Sequence, residues 1–225
     1  MYYGYVVEGS FNTYEDIANW PKFNPNISGV DTYTKLGVFK YKDVNGDGKI
    51  TTGDLAVIGS PHPNFTYGLN IDLQYKGFDL VLFLQGVQGV DIFNMIRRQL
   101  LFTRNDGNNV RERLYESWTP ERYSSGAKIT VPITTNSDNI LIKPSSYYVE
   151  NGSYLRVKDF QVGYTFPSRI ISKLRLQNLR IYFQATNLFT ITKYTGLDPE
   201  VTENGIDNTV YPAARILSLG LNIDL

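Results

Sequence analysis

The chain has 225 residues, a formal net charge of zero and no cysteine. A balanced charge gives no global field that would attract nucleic acid or an acidic membrane surface, and the lack of cysteine excludes disulfide scaffolds, thiolate metal sites and cysteine catalysis. Tyrosine (17 residues) and phenylalanine (12 residues) are abundant. Aromatic residues of this kind are typical of β-strands and of the interfacial girdles of membrane barrels.

Alternating apolar and polar residues predict six β-strands along the chain. Successive side chains of a strand point to opposite faces, so each such segment has one apolar face and one polar face. In chain order the predicted strands are Tyr2 to Val7, Phe65 to Tyr75, Phe78 to about Val87, Tyr154 to Phe166, Leu179 to Ala185, and Leu217 to Leu225. A further short strand is predicted around Val38 to Tyr41.

Three local features refine this prediction. The alternation slips by one residue at Lys158-Asp159, which predicts a β-bulge in the fourth strand. Lys76-Gly77 is a two-residue hairpin signal between the second and third strands. Short helices are predicted for Thr13 to Trp20 and Asn109 to Trp118, each ending before a proline. In the second helix, Val110, Leu114 and Trp118 form one apolar stripe.

The connections between the predicted strands alternate in length. Residues 76–77 and about 167–176 are short connections, whereas residues 8–64, 88–153 and 187–213 are long ones. Short and long connections in alternation are typical of outer-membrane barrels. A β-sandwich with long loops is the alternative, but loops longer than about 15 residues are uncommon in compact soluble domains.

One segment, residues 43–54, matches the template of a calcium-binding loop. Calcium prefers oxygen ligands, and the template places them at loop positions 1, 3, 5, 7 and 12, with glycine at position 6. The corresponding candidate ligands are Asp43, Asn45, Asp47, Lys49 through its backbone carbonyl, and Asp54. An Asx-rich turn without metal is the alternative. A bound Ca²⁺ is expected to brace the loop and not to catalyse a reaction.

The sequence contains no pattern that predicts an enzyme. His62 is its one histidine, so a histidine-rich metal site and a Cys–His pair are excluded. We find no nucleophile–base pair and no catalytic metal cluster in the sequence, and we expect no catalytic residues.

A series of motifs runs along nearly the whole chain. They are KYKDVNGDGKI (40–50), IGSPHPNFTYG (58–68), YKGFDL (75–80), QGVQG (85–89), GSYLR (152–156), GYTFP (163–167), NLFT (187–190), GLDPE (196–200) and YP (211–212). In this order and spacing they resemble the carboxy-terminal part of the SusC/RagA family of TonB-linked outer-membrane proteins. Two positions depart from the family pattern: the last residue is Leu225 where an aromatic residue is common, and Arg122 replaces an expected asparagine.

The resemblance implies an all-β fold of antiparallel up-and-down strands from the carboxy-terminal part of a large transmembrane β-barrel, with long extracellular loops that carry short helices. Plugged transporter barrels have about 22 strands, and six strands cannot enclose a lumen. We therefore expect residues 1–225 to be a segment from which the signal peptide, the plug and most of the barrel are absent. A curved antiparallel sheet of six to eight strands is expected.

The resemblance also implies a function. The family imports glycans, oligosaccharides or peptides across the outer membrane of Bacteroidetes-type bacteria. Its expected partners are a SusD-type surface lipoprotein, TonB through the missing amino-terminal part, the imported glycan or peptide, and outer-membrane lipid. The alternative is a soluble secreted calcium-binding or glycan-binding β-module.

Overall fold

The computed structural model describes residues 1–23, 35–102, 110–134, 140–201 and 204–224. These residues divide into two compact units, each assembled from separate stretches of the chain. The first unit comprises Met1–Pro61, Asp91–Glu150 and Val201–Thr209. The second unit comprises His62–Val90, Asn151–Glu200 and Val210–Leu225.

The described residues form thirteen strands and five short α-helices. The strands are β1 (Tyr2–Gly4), β2 (Val7–Ser10), β3 (Phe39–Tyr41), β4 (Ala56–Gly59), β5 (Phe65–Tyr75), β6 (Phe78–Gln88), β7 (Asp91–Asn94), β8 (Val149–Asn151), β9 (Tyr154–Thr165), β10 (Asn178–Thr186), β11 (Thr190–Thr192), β12 (Ile206–Asp207) and β13 (Ile216–Asp224). The helices are α1 (Tyr14–Asn19), α2 (Met95–Phe102), α3 (Arg111–Tyr115), α4 (Pro120–Ser124) and α5 (Ser168–Ile171).

The second unit is one antiparallel sheet. Its long strands lie in the order β13-β10-β9-β6-β5, and the short strand β11 also pairs with β9. All of these pairings are antiparallel. The predicted up-and-down sheet is therefore confirmed, and the five long strands begin and end within about one residue of their predicted limits. Leu225, predicted as the last strand residue, lies outside the described residues.

The register of this sheet separates an apolar face from a polar face. One row of directly paired residues runs across all five long strands on the apolar face: Leu73, Leu80, Val162, Phe183 and Leu219. This face is open, since Leu73 is 57% exposed and Leu219 is 83% exposed. Among the described residues, nothing covers the apolar face as the hydrophobic side of a soluble sheet would need.

The two irregularities predicted for the sheet are both present. Phe83 pairs with Asp159 and Leu84 with Val157, so Lys158 is the extra residue of a bulge in β9. Lys76 and Gly77 both have positive φ angles, 48° and 89°, as a type I′ hairpin turn requires. Asn187 also has a positive φ angle, of 52°. Its N–H donates to the Lys158 carbonyl oxygen at 2.9 Å, so the chain turns from β10 into β11 beside the bulge.

The prediction of one continuous strand from Tyr2 to Val7 is wrong. Strand β1 pairs with β4, whereas β2 pairs with β3 in a different two-stranded sheet. Tyr5 lies between β1 and β2 and is buried in the core of the first unit. The chain changes its pairing partner at this residue, and neither short strand belongs to the large sheet.

The long connections also differ from the loops predicted by the sequence. In the first unit they pack around a hydrophobic core of fourteen buried residues. The core residues are Tyr5, Phe11, Ile17, Val38, Phe39, Tyr41, Ile50, Phe93, Leu101, Phe102, Val131, Ile140, Leu141 and Tyr148. Strand β7 pairs with β12 and β8, and helix α2 contributes Leu101 and Phe102 to the core. These segments were not predicted, because their apolar residues are scattered and not periodic.

The two predicted helices have different outcomes. Helix α1 is confirmed. The Thr13 side chain accepts a hydrogen bond from the Asp16 N–H, the Asp16 carboxylate accepts one from the Thr13 N–H, and the helix ends before Trp20. Helix α3 is shorter than predicted, and Asn109 lies outside the described residues. The predicted stripe is also wrong, because Leu114 is exposed and the buried Trp118 follows the helix.

Candidate functional site on the polar face of the sheet

The polar face of the sheet bears, near its turn end, an ion pair that crosses a strand. Arg180 of β10 donates from Nε to Asp79 Oδ1 at 2.9 Å and from Nη2 to Asp79 Oδ2 at 2.5 Å. Strand β9 lies between β6 and β10, and it places Gly163 beneath the pair. A Cβ on Gly163 would lie 2.6 Å from Arg180 Nη2 and from Asp79 Oδ1. A side chain at this position would force the ends of Arg180 and Asp79 to move from the positions that they occupy in the pair.

A concave recess of about 570 Å³ opens beside this ion pair, near the turn between β5 and β6. The residues with polar side chains around it are Asp72, Gln74, Tyr75, Lys76, Asp79, Gln161, Thr165 and Arg180. These groups can donate and accept hydrogen bonds to a polar ligand or to another segment of polypeptide. They include no paired nucleophile and base, so the arrangement suits binding better than catalysis.

A second charged network lies at the other end of β9. The Arg156 side chain is only 3% exposed, and it donates to the Asp198 carboxylate and to Glu200 Oε2 at 2.7 Å. Its Nε donates to Thr190 Oγ1 at 2.8 Å. Lys158 Nζ lies 2.8 Å from the same Glu200 oxygen. Two of the sequence motifs, residues 152–156 and 196–200, therefore meet at this network.

Asp198 organises the connection that follows β11. Its carboxylate accepts hydrogen bonds from the N–H of Glu200 at 2.9 Å and of Ala213 at 3.0 Å, and from Arg156. Burial raises the pKa of Asp198, but the two backbone hydrogen bonds and Arg156 lower it further, so the pKa lies below its usual value. The charged carboxylate thus binds the backbone at Glu200 and at Ala213 and holds both positions beside Arg156.

The predicted calcium loop is present as a tight, hydrogen-bonded turn. Asp43 Oδ1 accepts from the Gly46 N–H at 2.7 Å, and Oδ2 accepts from the Gly48 N–H at 2.7 Å. Asn45 Oδ1 accepts from the Asp47 N–H at 2.9 Å, and Asp47 Oδ1 from the Lys49 N–H at 2.9 Å. This is the pattern of consecutive Asx turns.

Asp54 closes the loop from its other end. It is fully buried, and it accepts from the Val44 N–H at 2.9 Å and from the Thr51 N–H at 2.7 Å. Burial raises the pKa of Asp54, but the hydrogen bonds from Thr51, Val44 and Asn45 lower it further, so the pKa lies below its usual value. Asp54 therefore joins the start and the end of the loop as a carboxylate.

The structure brings the predicted ligands into one loop, but their oxygens accept backbone hydrogen bonds. Within the described residues, no group of three or more His, Cys, Asp or Glu side chains is arranged to hold a metal ion. The oxygen chemistry of Asp43, Asn45 and Asp47 suits a hard cation. Calcium binding by residues 43–54 remains a prediction.

The functional candidates that the sequence missed are the two charged networks. Asp79 and Arg180 are 101 positions apart, and Arg156 and Asp198 are 42 positions apart. Strand alternation places Asp79 and Arg180 on the polar face, but it does not show that they meet. The motifs at 75–80, 152–156 and 196–200 contain Asp79, Arg156 and Asp198, so they were the available signal.

Comparison with known proteins gives matches along the chain. TonB-dependent receptor P3 of Formosa agariphila is 32% identical over 240 residues, which cover 99% of this chain and 22% of that receptor. TonB-dependent receptor SusC of Bacteroides thetaiotaomicron is 30% identical over 184 residues, which cover 81% of this chain and 17% of SusC. The chain belongs to the SusC/RagA type of TonB-dependent receptors. No protein-family model matches it.

Solved structures of the SusC/RagA type share this fold. The RagAB peptide importer in its open-open state aligns with 100% of this chain at a TM-score of 0.68 and 20% identity. The RagAB peptide transporter aligns with 99% of it at a TM-score of 0.69 and 21% identity. Both alignments cover 22% of the solved chain. The present chain also spans only about a fifth of the length of the curated relatives that it matches.

SusC/RagA-type receptors are outer-membrane proteins of Bacteroidetes, and this is the location of the chain. The relatives described above are receptors and an importer, not enzymes. In the described part of the chain, no helix is long and apolar enough to cross a membrane.

Proposed function

We propose that the chain is a wall segment of a TonB-dependent outer-membrane transporter that imports glycans, oligosaccharides or peptides. The observation that carries this proposal is the register of the large sheet, which places Leu73 and Leu219 in one exposed apolar row. The opposite face bears the Asp79–Arg180 pair and the polar recess. In this proposal the apolar face meets lipid and the polar face lines the lumen.

In this proposal residues 1–225 are the carboxy-terminal segment of a longer wall, and the edges of the sheet support the longer wall. Within the described residues, β5 and β13 each pair with a neighbour on one side only. Unpaired N–H and C=O groups cost several kcal/mol each in lipid. Strands from elsewhere in the complete receptor would pair with these edges. A soluble calcium- or glycan-binding module is not favoured, because it would expose the apolar face to water.

The proposed partners follow from the relatives. Similarity to SusC and to the RagAB structures supports a SusD-type surface lipoprotein as the partner and TonB as the source of energy. The RagAB structures are described as a peptide importer, which supports peptides as one substrate class, and glycans are the other. We also propose that residues 43–54 bind a structural Ca²⁺, which would brace the packed first unit without taking part in transport.

The test is uptake in the source bacterium. The gene of the complete receptor is deleted, and growth is measured on single oligosaccharides and on defined peptides as the only carbon source. We expect loss of growth on one substrate class and recovery when the complete gene is restored. Restoring only residues 1–225 should not recover growth. Unchanged growth of the deletion strain on every substrate would contradict the proposed function.

A further inference from the structure

The turns that join the strands of the large sheet bear four cations. Lys76 lies in the turn between β5 and β6, and Arg169, Lys173 and Arg175 lie in the connection between β9 and β10. All four side chains are exposed. We call these four residues the basic rim. No ion pair joins them to a carboxylate in the described part of the chain.

The two turns are adjacent. The Thr165 N–H at the end of β9 donates to the Gly77 carbonyl oxygen at 2.8 Å. The connection after β9 is held to the sheet, since the Gln177 N–H donates to the Asp224 carbonyl oxygen at 2.8 Å. The basic rim therefore lies along one end of one sheet and is not scattered over the surface.

A row of aromatic side chains lies directly inside this rim, on the apolar face. Tyr75 pairs with Phe78, which pairs with Tyr164, and Phe166 follows two positions later on the same face. The rings of Phe78 and Tyr164 are 4.6 Å apart, and those of Tyr164 and Phe166 are 5.1 Å apart. Lys76 Nζ lies 5.1 Å from the centre of the Tyr75 ring. Along the sheet toward the turns, the apolar face is thus followed first by the aromatic row and then by the cations of the basic rim.

The acidic residues near the rim are fewer than its cations. Asp79 is paired with Arg180, which leaves Asp72, beside the same recess as Lys76, and Asp224 against the four cations of the rim. Between β9 and β10, residues 167–177 contain three cations and no acidic residue. Arginine and lysine remain charged at neutral pH. The turn end of the sheet therefore carries a local positive charge, although the chain as a whole has none.

We propose that the basic rim binds the phosphate groups of anionic phospholipids in the leaflet at the turn end of the sheet. The chemistry matches at each level: the apolar face meets acyl chains, aromatic rings prefer the headgroup boundary, and the cations reach the phosphates beyond it. An acidic protein would also complement the charge. The aromatic row favours lipid, because it places the cations at headgroup depth.

This inference rests on the proposed membrane wall, and it adds a preference for anionic headgroups. The complete receptor is purified in dodecyl maltoside and titrated with dioleoyl phosphatidylglycerol, and bound lipid is counted by native mass spectrometry. Phosphatidylcholine, which has no net charge, is titrated in parallel. The test variant carries Lys76→Gln, Arg169→Gln, Lys173→Gln and Arg175→Gln. The control variant loses the same charge at exposed positions outside the rim, through Lys42→Gln, Arg111→Gln, Lys128→Gln and Lys193→Gln.

Each cation near an anionic membrane surface contributes about 1 kcal/mol, which corresponds to about fivefold in affinity. We expect the test variant to bind phosphatidylglycerol at least about tenfold more weakly than the wild type, whereas the control changes by less than about twofold. Raising the ammonium acetate concentration from about 50 to 500 mM should reduce the difference through screening. Phosphatidylcholine binding should be the same for all three proteins.

Two results would overturn the inference: equal phosphatidylglycerol affinity of the test variant and the wild type, or an equal loss in the control variant. With either result, chemical cross-linking in cells would show whether the rim instead contacts an acidic protein. Outer-membrane fractionation and heat-modifiable mobility on gels are measured first for every protein. A wild-type receptor that fails these measurements contradicts the proposed function itself, whereas a correctly inserted receptor without lipid preference contradicts only the basic rim.

Discussion

Asp79 and Arg180 form a two-bonded ion pair across the strand that separates them, with Gly163 of that strand beneath the contact. Their side chains are 19% and 18% exposed. The pair joins β6 and β10 directly, in addition to the backbone hydrogen bonds that each makes with β9. Because a carboxylate and a guanidinium match in two parallel hydrogen bonds, the contact also fixes the geometry of the three strands.

Gly163→Ala should break this contact. The added Cβ would lie 2.6 Å from atoms at the ends of both charged side chains, so the pair must separate, and losing a hydrogen bond between charged groups costs about 1.5–3 kcal/mol. In the complete receptor we expect a lower temperature for the heat-induced mobility shift on gels. Gly68→Ala is the matched control, because its Cβ would meet Phe83 at 3.2 Å, a contact that a small ring movement relieves. Equal shifts for the two variants would contradict the special role of Gly163.

Asp198→Asn should loosen the connection after β11. The substitution leaves Arg156, which is almost fully buried, with less compensating charge, and loss of one partner of a buried pair costs about 3 kcal/mol. We expect faster hydrogen exchange in residues 194–201 of the complete receptor. Glu200→Gln is the comparison, because Glu200 is 38% exposed and an exposed pair contributes only about 0–1 kcal/mol. A larger increase in hydrogen exchange for Glu200→Gln than for Asp198→Asn would contradict this prediction.

Asp54→Asn should open the 43–54 loop at neutral pH. The amide can accept through only one oxygen, so one of the partly buried N–H groups of Val44 and Thr51 loses its partner, at a cost of about 1 kcal/mol. Asp47→Asn serves as the control, since Asp47 is exposed and accepts only one backbone hydrogen bond among the described residues, from the Lys49 N–H, beside a long one of 3.4 Å from Asn45 Nδ2. The measurement is the opening free energy of the loop, obtained from hydrogen exchange.

The effect of Asp54→Asn should depend on pH. The folded-state pKa of Asp54 lies below its usual value, so its contribution is complete above about pH 4, the usual aspartate pKa. The contribution is lost as the pH falls through the lower folded-state pKa. The opening free energies of wild type and variant should therefore differ by a constant amount above about pH 5 and become equal in more acidic solution. A difference in opening free energy that grows as the pH falls would contradict this prediction.

Leu219→Arg should impair assembly in the outer membrane. Leu219 is 83% exposed on the apolar face, and an arginine on a lipid-facing position costs about 2–4 kcal/mol near the bilayer midplane. The neighbouring substitution Ser218→Arg is the matched control, because Ser218 lies on the polar face. We expect less receptor in the outer membrane for Leu219→Arg alone. Equal assembly of the two variants would contradict the assignment of the faces.

Calcium removal tests the remaining site prediction. If residues 43–54 bind Ca²⁺, a chelator should lower the thermal stability of the complete receptor, and added Ca²⁺ should restore it. Ligand linkage gives about 2.7 kcal/mol at a hundredfold excess of ligand over the dissociation constant. Asp43→Asn should abolish the response to the chelator. A melting temperature that does not change when the chelator is added would contradict calcium binding and support the alternative of Asx turns without metal.

The amino-acid sequence by itself determined the long strands of the sheet, the Lys76-Gly77 turn and the bulge at Lys158. These features depend on neighbouring residues, because strand alternation, turn chemistry and a slip of phase are all local. The sequence motifs also identified the SusC/RagA type, and helix α1 was predicted as a segment that stops before Pro21.

Only the tertiary structure decided which distant residues meet. The ion pair of Asp79 and Arg180 depends on strand order and register, since the two residues are 101 positions apart. The change of partner at Tyr5 likewise depends on the core that the long connections form around it. Local periodicity specifies which face a side chain occupies, whereas the free energy of packing and pairing between distant segments specifies its neighbours.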